Sequence, residues 1–189
     1  MTYTLRIEKQ GVKQLKALLR FTPPGSDARD RLKCFGLYAE GVVACDTFVL
    51  GIATVGTGIR WHGDPADGIA VDAKTFVQML PADGATVTLE GDKFTVSSAQ
   101  YEAHGTVDDQ SWLDWRPLIP ADEGERHAPG FFNAALLGKF GALAEANVGK
   151  PKQPVRLNAL HPAEMVKAMT VTGEDGTLYG LLMPMRVGV

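Results

Sequence analysis

Tyr3, Leu5 and Ile7 alternate with Thr4, Arg6 and Glu8, the period-two pattern of a strand with one buried face, and Gly11 is placed at its end. The period then changes. Val12, Leu15 and Leu19 fall at helical spacing until Phe21-Thr22-Pro23-Pro24-Gly25 stops the helix. Residues 32–39 predict a strand, Glu40-Gly41 a tight turn, and residues 42–55 one long or broken strand. Glycines 56, 58 and 63 punctuate the chain before a second helix, which Asp72 is placed to cap and whose stripe is Phe76, Val77 and Leu80. A hairpin follows over residues 85–90 and 93–98, turning at Gly91-Asp92, with a further strand over 99–107.

After a Trp- and Pro-rich stretch at 112–120 and a charged linker at 121–129, the order returns. A short strand at Phe131-Phe132 leads to a helix over 134–146 carrying Leu136, Leu137, Phe140 and Leu143, then to strands over 154–160, 164–172 and 178–187. Strand, helix and several strands thus recur about three times, at roughly 60 residues per unit, by pattern rather than by identity. Each helix has one apolar stripe to lay on its own antiparallel sheet, so the class is α+β.

Composition narrows the function. Net charge is −3 in 189 residues, so no global positive field marks a basic-tail nucleic-acid binder. Cys34 and Cys45 form no CxxC pair and fit buried thiols in a reducing compartment, with a disulfide between them the alternative. No apolar run reaches membrane-span length and no leader is visible, which makes a cytoplasmic location the expectation.

Catalytic and metal motifs are wanting. His62, His104, His127 and His161 have no ligand spacing among themselves or with the cysteines, and the His161–Glu164 pair stands alone. No Gly-Lys-Ser or Gly-Lys-Thr follows the glycines, and Asp64, Asp67 and Asp72 lack the order of a calcium loop. No cofactor is implied. His104, Asp108 and Asp109 are the residues an enzyme would use here, but nothing pairs a nucleophile with a base. Trp61, Trp112 and Trp115 fit packing at domain edges better than stacking on bases. Lys13, Lys16 and Arg20 share one helix stripe, and Lys74 and Lys139 stand on the other two helices; the stripe suits phosphate contact or an ordinary solvated face.

The C-terminal run Leu178-Tyr179-Gly180-Leu181-Leu182-Met183-Pro184-Met185-Arg186-Val187 resembles the last strand of the bacterial DNA polymerase III β subunit, the sliding clamp, which ends in Met-Pro-Met-Arg and an aliphatic residue. Upstream, Phe132-Asn133-Ala134-Ala135-Leu136-Leu137 resembles the entry to the helix of that family's last module, without its tyrosine. Residues 42–51, Val-Val-Ala-Cys-Asp-Thr-Phe-Val-Leu-Gly, are similar to a strand of the clamp's middle domain, with Val49 where the family carries a basic residue. Residues 1–118 resemble one whole clamp domain and 119–189, from 128 onward, half of another.

The resemblance implies a DNA-clamp fold, with antiparallel sheets outside and helices on one face. It implies a sequence-independent processivity factor rather than an enzyme, ringing duplex DNA as a homo-oligomer. Polymerases and clamp-loader-type proteins are the partners it implies. With about half of a full clamp's modules, roughly four chains would be needed to close a ring. Lys13, Lys16, Arg20, Lys74 and Lys139 would face phosphates. Phe48, Leu50, Met183, Pro184, Met185 and Arg186 would line a hydrophobic groove for partner peptides, since methionines repack around varied anchors. The bland alternative for the last strand is burial in the core. The functional alternative is an adaptor that binds such peptides without forming a ring.

Overall fold

Two sheets carry the fold, and they differ in how visibly the sequence announces them. The structure, a computed structural model, describes residues 2–23, 30–63, 65, 68–108, 112–119, 134–158 and 169–183. The first sheet runs in the order β5(Ile59–His62), β1(Thr2–Glu8), β7(Gly84–Glu90), β8(Lys93–Ser97), β9(Glu102–Thr106). The second runs β10(Arg156–Asn158), β11(Met169–Thr172), β12(Leu178–Leu182), β4(Val49–Thr54), β3(Gly41–Cys45), β2(Cys34–Tyr38), β6(Ile69–Asp72). All the strand pairings described in both sheets are antiparallel.

In the first sheet Leu5, Ile7, Val87, Leu89, Phe94 and Val96 turn inward while Arg6, Thr86, Glu90 and Lys93 meet water. That solvated face is why alternation located β1, β7 and β8. In β2 and β3 every residue is buried. Phe35, Leu37, Val42 and Ala44 enter the main core, and Cys34, Tyr38, Val43 and Cys45 enter a second cluster on the opposite face. The two-period pattern vanishes because both faces are covered.

Among the described residues three α-helices cover the inner face: α1(Lys9–Leu18), α2(Ala73–Met79) and α3(Ala134–Val148). α1 packs against α3 and touches α2. Their apolar residues Val12, Leu15, Leu18, Phe76, Phe140 and Leu143 join the two sheets in one core. The opposite face of the second sheet is covered by residues 112–119, which set Trp112 and Trp115 against Tyr38, Leu50, Ile52 and Leu181. Trp112 Nε1 donates to the Cys34 carbonyl at 3.1 Å, and Tyr38 Oη donates to the Leu113 carbonyl at 2.7 Å. Neither tryptophan is exposed to stack on a base. Cys34 and Cys45 are free and buried.

Several expected boundaries move. Gly11 lies inside α1 rather than ending β1: a Cβ there would overlap the Gly58 carbonyl oxygen, so glycine is needed for close packing of the 56–58 loop on the helix. Two strands, β5 among the glycines and β6 just before α2, lie where the sequence pattern marks no separate element. Of the long or broken strand expected over 42–55 the broken form is found, with a turn at Asp46–Phe48, and the strand over 99–107 is confined to Glu102–Thr106. The linker at 121–129, the strand at 131–132 and residues 184–187 lie outside the described residues.

The capping role of Asp72 is as expected: its Oδ1 accepts from the Thr75 amide at 2.8 Å. Asp72→Ala is expected to cost about 1 kcal/mol, as N-cap losses do; chemical denaturation would measure it, and no loss would mean that α2 is held by Phe76 and Val77 alone.

A polar seam lies between α1 and α3. Buried Gln14 donates Nε2 to Asn147 Oδ1 at 3.0 Å, and Asn147 Nδ2 donates to the Ile52 carbonyl at 3.2 Å. Gln10 Nε2 donates to the Ala146 carbonyl. These bonds favour one register between the helices, because a slip would break them in the core, although Gln14 Oε1 has no partner among the described residues.

Candidate functional site

The helix layer carries a row of cations. α1 buries Val12, Gln14, Leu15, Ala17 and Leu18, so Lys9, Lys13 and Lys16 project on the opposite side, and Arg20 extends the row from the 3-10 turn that follows. The spacing of four, three and four residues keeps them on one face. All four are exposed, and none has an ion-pair partner among the described residues. Lys9 was missed from sequence although it continues the spacing, because placing the helix start after Gly11 left it outside. Lys74 is exposed on α2, beside α1.

Lys139 behaves differently. Its Nζ donates to Asp46 Oδ2 at 2.6 Å, with the two side chains 20% and 10% exposed, and stands 5.8 Å from the Phe21 ring centroid. Its charge is therefore matched inside the protein. The exposed positions of α3 include Gly138 and Glu145, whose Oε1 accepts from the Lys152 amide at 2.7 Å.

A second surface forms where β12 meets β4. Leu181 stands opposite Leu50 and Leu182 opposite Val49; the Met183 amide then donates to the Phe48 carbonyl at 2.9 Å. Cross-strand partners share a face, so Phe48 and Met183 follow Leu50 and Leu181 on the outer side of the sheet. Phe48 is 64% exposed, while Met183 is half-buried. Leu50 is buried in the outer cluster with Leu181, Trp112 and Trp115, supporting this surface from beneath without reaching solvent. Pro184, Met185 and Arg186 lie outside the described residues.

The turn that presents Phe48 is tightly specified. Asp46 Oδ1 accepts from the amides of Phe48 and Val49, both at 3.1 Å, and the Asp46 amide donates to the Val49 carbonyl at 3.1 Å. Thr47 holds φ +78°, an unusual angle for a β-branched residue, which this network sustains.

The remaining candidates separate. His104 is exposed on β9, its Nδ1 3.2 Å from Thr95 Oγ1 and its Nε2 3.4 Å from Glu102 Oε1. The Asp108 amide donates to the Ala70 carbonyl, its carboxylate accepts from Cys34 Sγ at 3.9 Å, and Asp109 is outside the described residues. Burial foremost, helped by the carboxylates of Asp108, Asp72 and Asp30, pushes the Cys34 thiol up to about 11, so it stays un-ionised at neutral pH. Among the described residues no three His, Cys, Asp or Glu side chains gather to hold a metal ion, and no helix is long and apolar enough to cross a membrane.

No protein-family model matches the chain, and no curated protein matches it. Solved structures do. The beta sliding clamp of C. crescentus aligns at a TM-score of 0.66 and 15% identity, over 97% of this chain and 65% of that one. The Helicobacter pylori beta clamp aligns at 0.72 and 10%, over 98% and 66%. The DNA polymerase sliding clamp of Pseudomonas aeruginosa aligns at 0.67 and 14%, over 97% and 67%. The chain thus matches about two thirds of the length of these clamps. With its antiparallel sheets and single helix layer, this chain has the fold of the bacterial DNA sliding clamps.

Proposed function

We propose that the protein is a sliding-clamp-like processivity factor. It encircles duplex DNA as a homo-oligomeric ring and holds a polymerase or another DNA-processing partner through the surface around Phe48 and Met183. The observation that carries this reading is the row of Lys9, Lys13, Lys16 and Arg20 on the helix layer of a clamp fold, exposed and without ion-pair partners among the described residues. A tether that must slide needs diffuse positive charge toward phosphates and no contacts to base edges. The negative total charge of −3 is compatible, since phosphate contact needs local rather than global positive charge. A ring resists dissociation by topology, so no covalent chemistry is required of the chain. Loading it onto closed DNA calls for opening by a loader-type protein.

Native mass by light scattering across a hundredfold concentration range tests the ring: one closed oligomer of fixed size is expected. A monomer throughout would sink it and leave the adaptor, which the solvent-exposed Phe48 beside Met183 favours. The DNA surface has its own test. Combined Lys13→Gln and Lys16→Gln are expected to reduce the slope of log affinity against log salt for a 30-bp duplex by about 1.8, at ~0.9 per phosphate contact. An unchanged slope would show that α1 does not face DNA.

A further inference from the structure

We propose that Lys139, which stands on the helix layer with the cations, serves the opposite surface: it is a positioning residue that holds the Phe48 turn in shape for a partner. The inference rests on the reading that Phe48 and Met183 face that partner. Lys139 rises from α3, passes the Phe21 ring and ends on Asp46 Oδ2 at 2.6 Å. The other oxygen of the same carboxylate takes the amides of Phe48 and Val49. One side chain therefore connects the helix layer to the turn that sets the direction of Phe48, whose carbonyl in turn receives the Met183 amide.

The burial of the pair decides between the two roles. An ammonium that contacts phosphates must give its charge to the solvent side, as Lys13 and Lys16 do. Lys139 is 20% exposed and faces a carboxylate that is 10% exposed, so moving it to DNA would strand a nearly buried anion. Charge-assisted hydrogen bonds of this kind outrank neutral ones, and a carboxylate that has lost its cation competes less well for a fixed turn geometry. The turn needs the help, because Thr47 sits at φ +78°. The partner this surface fits is a short peptide segment with an aliphatic or aromatic anchor, since it offers the exposed phenyl ring of Phe48 on a backbone bonded to that of half-buried Met183.

The test compares Lys139→Gln, Lys139→Arg and Lys13→Gln in the intact protein. The probes are a 30-bp duplex and a dodecamer peptide selected on the wild-type protein from a random library, whose binding is lost in Phe48→Ala. Lys139→Gln is expected to leave duplex affinity and its salt slope at the wild-type value. It should speed hydrogen exchange at the Phe48 and Val49 amides by about tenfold, the scale of one lost charge-assisted hydrogen bond, and weaken the peptide by a similar factor. Lys139→Arg, which keeps the donor, should restore both; Lys13→Gln should do the reverse, weakening the duplex alone. A salt slope lowered by Lys139→Gln as much as by Lys13→Gln would overturn the proposal, as would a Phe48-dependent peptide that binds Lys139→Gln unchanged. Recovery of no Phe48-dependent peptide would fell the partner reading itself, and the strut's role with it.

Discussion

Gly180→Ala is expected to lower the unfolding free energy by about 3–5 kcal/mol, combining overpacking with backbone strain at a non-glycine residue. Gly180 holds φ +152°, and a Cβ there would overlap the Leu50 carbonyl oxygen and come within 2.9 Å of the Phe140 ring. Gly51 stands directly opposite, where a Cβ would lie 2.8 Å from the Phe21 ring. The two glycines thin the sheet where β12 meets β4, and the rings of Phe21 and Phe140 fill the space, edge to face at 5.1 Å. Any side chain at 180 must either push β12 away from β4 or displace Phe140 from the core. Urea denaturation would measure the loss, and a change below about 1 kcal/mol would mean that the strand adjusts without parting from β4.

Removing the outer cover should be comparably costly. Trp112→Ala is expected to destabilise by about 3–5 kcal/mol, the range for deleting a buried aromatic side chain. The indole lies over Gly36, where a Cβ would come within 2.6 Å of it, packs edge to face on Tyr38 with ring centroids 6.2 Å apart, and donates to the Cys34 carbonyl. Nearby, Arg116 fastens the segment to the sheet: it grips the Glu40 carboxylate with Nε at 2.8 Å and Nη2 at 2.6 and 2.9 Å, its guanidinium 4.9 Å from the Tyr38 ring centroid. The variant should also free Cys34. Burial is the main reason its thiol is pushed up to about 11, so admitting water should bring it down toward the ordinary thiol range and raise thiolate at pH 8. Reaction with an aromatic disulfide should then run at least about tenfold faster than in wild type. A stable variant with an unreactive Cys34 would show that residues 112–119 do not seal this face.

How far the sequence revealed the fold depended on what each residue faced. β1, β7 and β8 were legible because one side meets water and one meets core. A break within 42–55 was one of two readings, and alternation could not choose between them, because Val49 and Leu50 are both buried, one on each face. The helices showed through their stripes, yet Gly11 looked like a terminator, and only the approach of Gly58 explains a glycine inside α1. Lys13, Lys16, Arg20 and Lys74 were found by helical spacing, and their exposure follows from the same geometry. Lys139 was grouped with them because spacing reveals a face, not a partner: Asp46, far away in the chain, claims its charge. Gln14 and Asn147 left no trace in the apolar pattern, since a buried polar pair is defined by what meets it across the core. Phe48 was picked out by resemblance, and its exposure comes from the Asx turn, whose acceptor Asp46 was in plain view.

The joining of β12 to β4 also bears on how the chain comes into being. During synthesis β4 is made well before β12, and its sequence Val-Leu-Gly-Ile-Ala-Thr carries no charge and no proline. Its free edge stays open until Leu178–Leu182 have left the ribosome and Gly180 can pair with Gly51, 129 positions before it. Such long loop closures are slow, and an uncharged apolar edge is the kind that recruits a neighbouring chain. The nascent protein therefore passes through a window in which crowded polysomes favour aggregation, and its yield in cells should depend on translation rate and on holdase chaperones more steeply than its final stability would suggest.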